Sequence, residues 1–264
     1  MSKQIPFRYD FVGSFLRPAN LKAAREGFEN GKISAYELKA VEDKEIERLI
    51  NKQKELGYHV ITDGEFRRAT WHLDFMWGFD GVAHEKTKTG LPFHGEDAMI
   101  DDTYLCGKVG LSKVHPFVEH FKFVKQFEDE NTVAKQTIPA PAQFIEQMIM
   151  PFALENTSKY YDSTHKLAED IANGYKKVIA DLYDAGCRNL QLDDCSWGML
   201  VDPRAEELFG TDKKGLKNIQ ELLVEINNLA IEDKPNDMTI TTHVCRGNFH
   251  STYASTGAYD SVAE

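Results

Sequence analysis

Thr241-Thr242-His243-Val244-Cys245-Arg246-Gly247-Asn248 places an imidazole and a thiol two residues apart. The preceding Met238-Thr239-Ile240 is short, apolar and β-branched, and reads as a buried strand. Residues two apart on a strand share a face. His243 and Cys245 are therefore expected to project together from the strand's end. An imidazole beside a thiolate is half of a tetrahedral zinc site. A core histidine next to a buried free cysteine is the plainer reading of an isolated His-x-Cys. The strand-to-loop position, the turn that Gly247 permits and the acid-rich strand ends elsewhere bring the metal reading level with it.

Two further stretches could do chemistry. His59-Val60-Ile61-Thr62 reads as a strand running into Asp63-Gly64-Glu65-Phe66-Arg67-Arg68. Carboxylates and arginines directly after an apolar strand suit the active-site loop of an α/β protein, although Asp-Gly is also a common solvated turn. Arg188-Asn189-Leu190-Gln191-Leu192-Asp193-Asp194 reads as another strand, ending in two acids followed by Cys195 and Trp197.

The elements that must position these residues alternate. Phe11-Val12-Gly13-Ser14-Phe15 is expected as a first strand, with Leu16-Arg17-Pro18 opening a helix. A long helix is predicted from about Ser34 to Leu56, with Ser34 and Glu37 as a capping box and Gly57 as its stop. Trp71, Phe75, Met76, Trp77 and Phe79 form an aromatic cluster suited to core or lid packing. Lys108–Leu111 and Phe121–Val124 are expected to pair as an antiparallel excursion inserted between the main elements. Strands at 132–138 and 188–194 flank an amphipathic helix from about Ser163 to Ala185. A helix near Leu216 to Ile231 precedes the strand at 238–243. Strand, helix, strand, helix argues for a parallel sheet with crossover helices. Ser14, Glu65, Asp193, His243 and Cys245 all follow strands, and in a (β/α)8 TIM barrel such positions face one mouth. No Gly-rich phosphate loop follows the first strand, which speaks against a doubly wound nucleotide-binding sheet.

Composition narrows the partners. A net charge of −11 without a basic run argues against nucleic acid and anionic membrane surfaces. No apolar run is long enough to span a bilayer. Met1–Pro6 lacks the apolar region of a signal peptide. Cys106, Cys187, Cys195 and Cys245 are too sparse for a disulfide framework, which fits a reducing cytoplasm. The length suits one large domain, here expected as a single β/α barrel over 1–264 with an insertion around 80–130.

Four motifs, in order, carry a resemblance to the catalytic barrel of the cobalamin-independent methionine synthase family, and more closely to its short single-barrel relatives. Val12-Gly13-Ser14-Phe15 resembles the family's Ile-Gly-Ser-Phe, where homocysteine is held. Asp63-Gly64-Glu65 resembles its Gly-Glu motif, and Leu192-Asp193-Asp194 its Ile-Asp-Glu, both of which contact the amino acid. Thr242-His243-Val244-Cys245 resembles its His-x-Cys zinc motif. The resemblance implies Zn2+ on His243 and Cys245, and homocysteine bound by Val12, Gly13, Ser14, Glu65 and Asp193. It further implies a methyl donor such as methyltetrahydrofolate and methionine as product. Glu65 and Asp193 would grip the substrate ammonium, and Ser14 with its neighbouring backbone the carboxylate.

Cys195 departs from the pattern, standing where the family usually has proline. It could supply a third thiolate, but the family uses no ligand there. The family's other two zinc ligands, a glutamate and a second cysteine, lie on later strands, whereas five main strands precede Glu264 and a β/α barrel has eight. The barrel is accordingly expected to be incomplete, with an open flank, and the natural protein to continue past Glu264. Three alternatives remain: alkyl transfer to another thiol such as coenzyme M, metal-dependent hydrolysis, and a non-catalytic binding protein on the same fold.

Overall fold

The computed structural model describes residues 9–88, 90–93 and 95–263. The reading of Met1–Pro6 lies outside them. Pro18 caps α1 (Ala19–Glu29), as its fixed φ suits. In α2 (Ala35–Glu55) the capping box forms as expected: Ser34 N donates to Glu37 Oε2 at 2.8 Å, and Glu37 N donates to Ser34 Oγ at 3.3 Å. Ile46 and Ile50 turn its apolar stripe into the core.

The first predicted strand is a correction. Residues 11–15 form no strand. Two buried side chains hold this segment in place of a ladder. Lys135 Nζ donates to Asp10 Oδ2 at 2.8 Å and to the Phe11 carbonyl, and Gln191 Nε2 donates to the Val12 carbonyl at 2.6 Å. Phe15 N adds one backbone bond, to Gly64 O at 3.1 Å.

The chain then runs through β1 (Val60–Ile61) and α3 (Leu73–Met76) into an antiparallel excursion. Its partners differ from those expected. β2 (Asp80–Glu85) pairs with β5 (Asp102–Gly110), and between them β3 (Leu91–Phe93) pairs with β4 (Glu96–Ala98). Phe121–Val124 instead belong to α4 (Pro116–Lys125). Its buried residues Phe117, Val118, Phe121 and Val124 repeat at helical spacing, Pro116 occupies the first turn, and the His115 ring accepts from Phe117 N at 3.2 Å. Capping and periodicity outweigh the strand preference of Phe and Val here.

Among the described residues, five strands build the parallel layer. β6 (Val133–Ala134) pairs with β1, and β7 (Gln136–Pro139) with β8 (Asn189–Asp194). Lys135 N donates to Ile61 O at 3.0 Å, carrying the ladder across the short gap between β6 and β7. β8 also pairs with β9 (Thr239–Val244). Order in space therefore follows order in the chain, without the reversal that marks a doubly wound sheet. Helices α5 (Pro141–Ile149), α6 (Pro151–Thr157) and α7 (Thr164–Asp184) fill the crossover to β8. Helices α8 (Ser196–Leu200), α9 (Ala205–Leu208) and α10 (Lys213–Ile231) fill the one to β9. Leu190 and Leu192 of β8 join Ile171, Tyr175 and Val178 of α7 and Leu223 and Ile226 of α10 in one apolar core.

Among the described residues the parallel strands do not close into a barrel. Every residue of β8 is buried, whereas β9 is half-buried to exposed and, among the described residues, pairs along one edge only. Also among the described residues, no helix is long and apolar enough to cross a membrane.

Candidate active site at the strand ends

The ends of β1, β8 and β9 carry the predicted chemistry. Beyond β1, Asp63 Oδ1 accepts from Glu65 N at 2.8 Å, closing a tight turn. Gly64 and Glu65 both take positive φ, +63° and +60°. Glycine adopts this region freely, but a glutamate there is strained, an arrangement that clusters at functional sites. Gly64 also has no room for a side chain, since a Cβ there would stand 2.4 Å from Leu49 Cδ2. The strained turn buries the Glu65 carboxylate to 4% exposure. Thr137 Oγ1 donates to Glu65 Oε1 at 3.4 Å, and Arg68 Nη1 lies 3.5 Å from the same oxygen. Burial raises the Glu65 pKa, and the Arg68 guanidinium opposes the rise.

The two arginines of this loop separate. Arg67 turns to α2, pairing with Glu42 and Asp43, and is structural. Arg68 is buried and donates to Thr137 O at 2.6 Å and Thr137 Oγ1 at 2.9 Å, fixing the turn to β7. Arg17 Nη2 clamps the Glu65 and Arg68 carbonyls at 2.9 and 3.1 Å.

On β8 the two acids point to opposite faces, as strand alternation requires. Asp193 shares the face of Gln191, whose Nε2 donates to Asp193 Oδ1 at 2.6 Å. Burial raises Asp193 to about 7; the neighbouring Glu65 charge adds to the rise, and Gln191, Arg68 and His243 oppose it. The two carboxyl groups thus share one electrostatic environment. Asp194 faces the helices and accepts from Trp197 Nε1 at 2.8 Å and Asn227 Nδ2 at 2.9 Å.

The register sets Asp193 opposite His243 and Asp194 opposite Val244. Cys195 and Cys245 come next on each chain, and their sulfurs lie 2.8 Å apart. The Cys245 thiol is lowered, chiefly by its hydrogen bond with Cys195 and further by His243 and the Gly247 N–H. The His243 ring is raised, chiefly by Cys245. Gly247 makes the expected sharp turn with φ +80°.

Val12, Gly13 and Ser14 approach the same place from the N-terminal segment. A Cβ on Gly13 would stand 3.8 Å from Glu65 Oε1, so the segment passes directly over that carboxylate. Ser14 and Glu65 line a cavity of about 310 Å3 together with Trp71, Glu146, Cys195 and Arg246. Glu146 was not predicted. Burial raises it to about 7, and the neighbouring Ser196 and Gln143 oppose the rise. The available signal was a single acid within the short α5, whose other polar residues are the uncharged Gln143 and Gln147. Cys195 was seen in the sequence but set aside, because it follows a different strand and the family uses no ligand there; the register that brings it beside Cys245 cannot be read from either strand alone.

The donors at this end are one imidazole and two sulfurs, a soft set that suits zinc over magnesium or calcium. Among the described residues, no group of three or more His, Cys, Asp or Glu side chains is arranged to hold a metal ion. His243 and Cys245 therefore fit the metal in chemistry and supply part of a site.

Fold and site together define an α/β protein whose parallel strands deliver carboxylates, an imidazole and thiols to one mouth. The chain belongs to the cobalamin-independent methionine synthase family, matching "Cobalamin-independent synthase, Catalytic domain" over residues 9–89. It is 39% identical over 263 residues to the uncharacterized protein YxjH of Bacillus subtilis (strain 168), covering 99% of this chain and 67% of that protein. Among solved structures it is similar to a candidate vitamin-B12-independent methionine synthase from Listeria monocytogenes. The TM-score is 0.72 at 40% identity, over 92% of this chain and 67% of that one. A B12-independent methionine synthase from Shewanella sp. W3-18-1, solved in complex with selenomethionine, shares the fold at TM-score 0.57 and 21% identity, over 82% of this chain and 55% of that one.

Proposed function

We propose that the chain forms the strand-end face of a (β/α)8 barrel and works as a zinc-dependent S-methyltransferase. The acceptor is homocysteine, the donor a methylated folate or similar compound, and the product methionine. The observation that carries this reading is the meeting of two buried carboxyl groups, Glu65 and Asp193, with the His243–Cys245 pair at one mouth. An amino acid bearing a thiol offers the complement to both halves.

The roles follow from the chemistry of each group. Glu65 and Asp193 accept hydrogen bonds from the substrate ammonium, whose charge relieves their mutual repulsion. Ser14 and the backbone of 12–14 receive the carboxylate. This orients the thiol towards β9, where His243 and Cys245 would hold zinc. A zinc ion bound there would keep the acceptor sulfur deprotonated at neutral pH, where a free thiol with pKa about 8.5 is mostly protonated. The adjoining cavity gives the donor a place beside that sulfur, so that positioning supplies much of the rate. A thiol without an ammonium, such as coenzyme M, would leave Glu65 and Asp193 uncompensated, which favours the amino acid.

Titration calorimetry of the zinc-loaded protein with homocysteine, selenomethionine and coenzyme M tests the reading. Homocysteine and selenomethionine should bind, and coenzyme M should not. Absence of zinc uptake together with absence of amino-acid binding would overturn it.

A further inference from the structure

The contact between Cys195 and Cys245 has no part in the proposed methyl transfer. We propose that these two residues are a site of reversible oxidation, forming a disulfide that takes Cys245 out of service as a metal donor. The disulfide itself is independent of the proposed function; only its effect on the metal rests on that reading.

The backbone makes the pairing possible. Cys195 and Cys245 each lie one residue beyond the last paired positions of two adjacent parallel strands, Asp194 and Val244. Neighbouring strands run about 4.8 Å apart, within the roughly 4.4–6.8 Å between Cα atoms that a disulfide spans. The sulfurs already lie 2.8 Å apart, so a bond of about 2.0 Å needs only a small side-chain adjustment. At Cys195 the chain leaves β8 and enters α8 with φ −83° and ψ −10°, and its side chain meets Cys245 across the gap. Cys245 Sγ also accepts from Gly247 N at 3.5 Å, fixing its position.

Access is present as well. Both cysteines are partly exposed, and Cys195 lines the 310 Å3 cavity. The other thiols sit elsewhere: Cys187 is buried with its Sγ on the Asn189 carbonyl, and Cys106 is exposed on β5.

The oxidant is a hydroperoxide. The Cys245 thiol attacks the terminal peroxide oxygen and the O–O bond breaks, giving Cys245 sulfenic acid and the alcohol, or water when the oxidant is hydrogen peroxide. The Cys195 sulfur then attacks Cys245 Sγ. The S–S bond forms, the S–O bond breaks, and the hydroxyl leaves as water with the Cys195 proton. The sulfurs lose two electrons and the peroxide gains them. A dithiol reverses the reaction by exchange. Because the sulfur that closes the disulfide is the neighbour of the one oxidised, the pair stops short of irreversible sulfinic acid.

The test uses the full chain, reduced and metal-free, exposed to stoichiometric hydrogen peroxide, then alkylated under denaturing conditions and mapped by mass spectrometry. The expected result is loss of two hydrogens, disappearance of the Cys195 and Cys245 alkylation sites, and a linked peptide pair that dithiothreitol separates. In Cys195→Ser the link is absent: one equivalent of peroxide takes Cys245 to sulfenic acid, and a second equivalent carries it on to sulfinic acid. Oxidised wild-type protein in which Cys195 and Cys245 are unlinked, or are linked to Cys106, Cys187 or another chain, overturns the proposal. A second arm preloads zinc. Slower linking supports Cys245 as a metal donor; unchanged linking counts against the metal reading and leaves the disulfide standing.

Discussion

Asp193 and Asp194 are adjacent acids with opposite surroundings: one faces the mouth beside Glu65, the other the helices. Asp193→Asn should weaken homocysteine binding by about 1.5–3 kcal/mol, the worth of a hydrogen bond to a charged group. Asp194→Asn should lower the melting temperature instead, by disturbing the contacts to Trp197 and Asn227. The pH dependence has a definite sign. With Asp193 at about 7, the carboxyl is neutral in more acidic solution and anionic in more basic solution. Affinity for the ammonium of the amino acid should therefore rise from pH 6 to pH 8, and Asp193→Asn should flatten the rise. Calorimetry across that range decides it. For the metal, Cys245→Ala should cost several kcal/mol of zinc affinity, against roughly 10–16 kcal/mol for structural sites in total. Competition with a chelator of known affinity measures the difference.

At the scale of elements, much of the fold was legible. The α2 capping box, the 164–184 and 213–231 helices and the strands before Asp63, Cys195 and Cys245 appear within a few residues of expectation. All of these are encoded locally, by caps and periodicity. What could not be read depends on distant partners. Residues 11–15 look like a strand by composition, yet Lys135 and Gln191, far along the chain, hold their carbonyls. The same blindness hid the Cys195–Cys245 contact and the separate destinations of Arg67 and Arg68. Lys135 offers a test. Its side chain is wholly buried against Asp10. Lys135→Met should leave the partly exposed Asp10 carboxylate, the Phe11 carbonyl and Gln191 Oε1 without their donor and destabilise the protein by about 1–3 kcal/mol. Hydrogen exchange should quicken in residues 10–16, and amino-acid binding should weaken with it.

Across the whole molecule, the mouth is assembled from segments that chain order keeps far apart: 12–14, 63–68, 193–195 and 243–245. Among the described residues, β8 has a neighbour on each side and is buried throughout, and β9 has one neighbour and is partly exposed. Backbone amides of 239–244 should thus exchange faster than those of 189–194, which hydrogen-exchange mass spectrometry can read directly. This arrangement also sets a timetable. Helices such as α2 and α7 close on local contacts, whereas the mouth requires long loops to be closed first, and contacts of large sequence separation form slowly. During refolding from denaturant, helical circular dichroism should recover before Cys195 and Cys245 become shielded from a pulse of thiol reagent. The chemistry of this protein is then the last thing the chain acquires as it folds, and nascent molecules pass through a helical stage in which both thiols are open to attack.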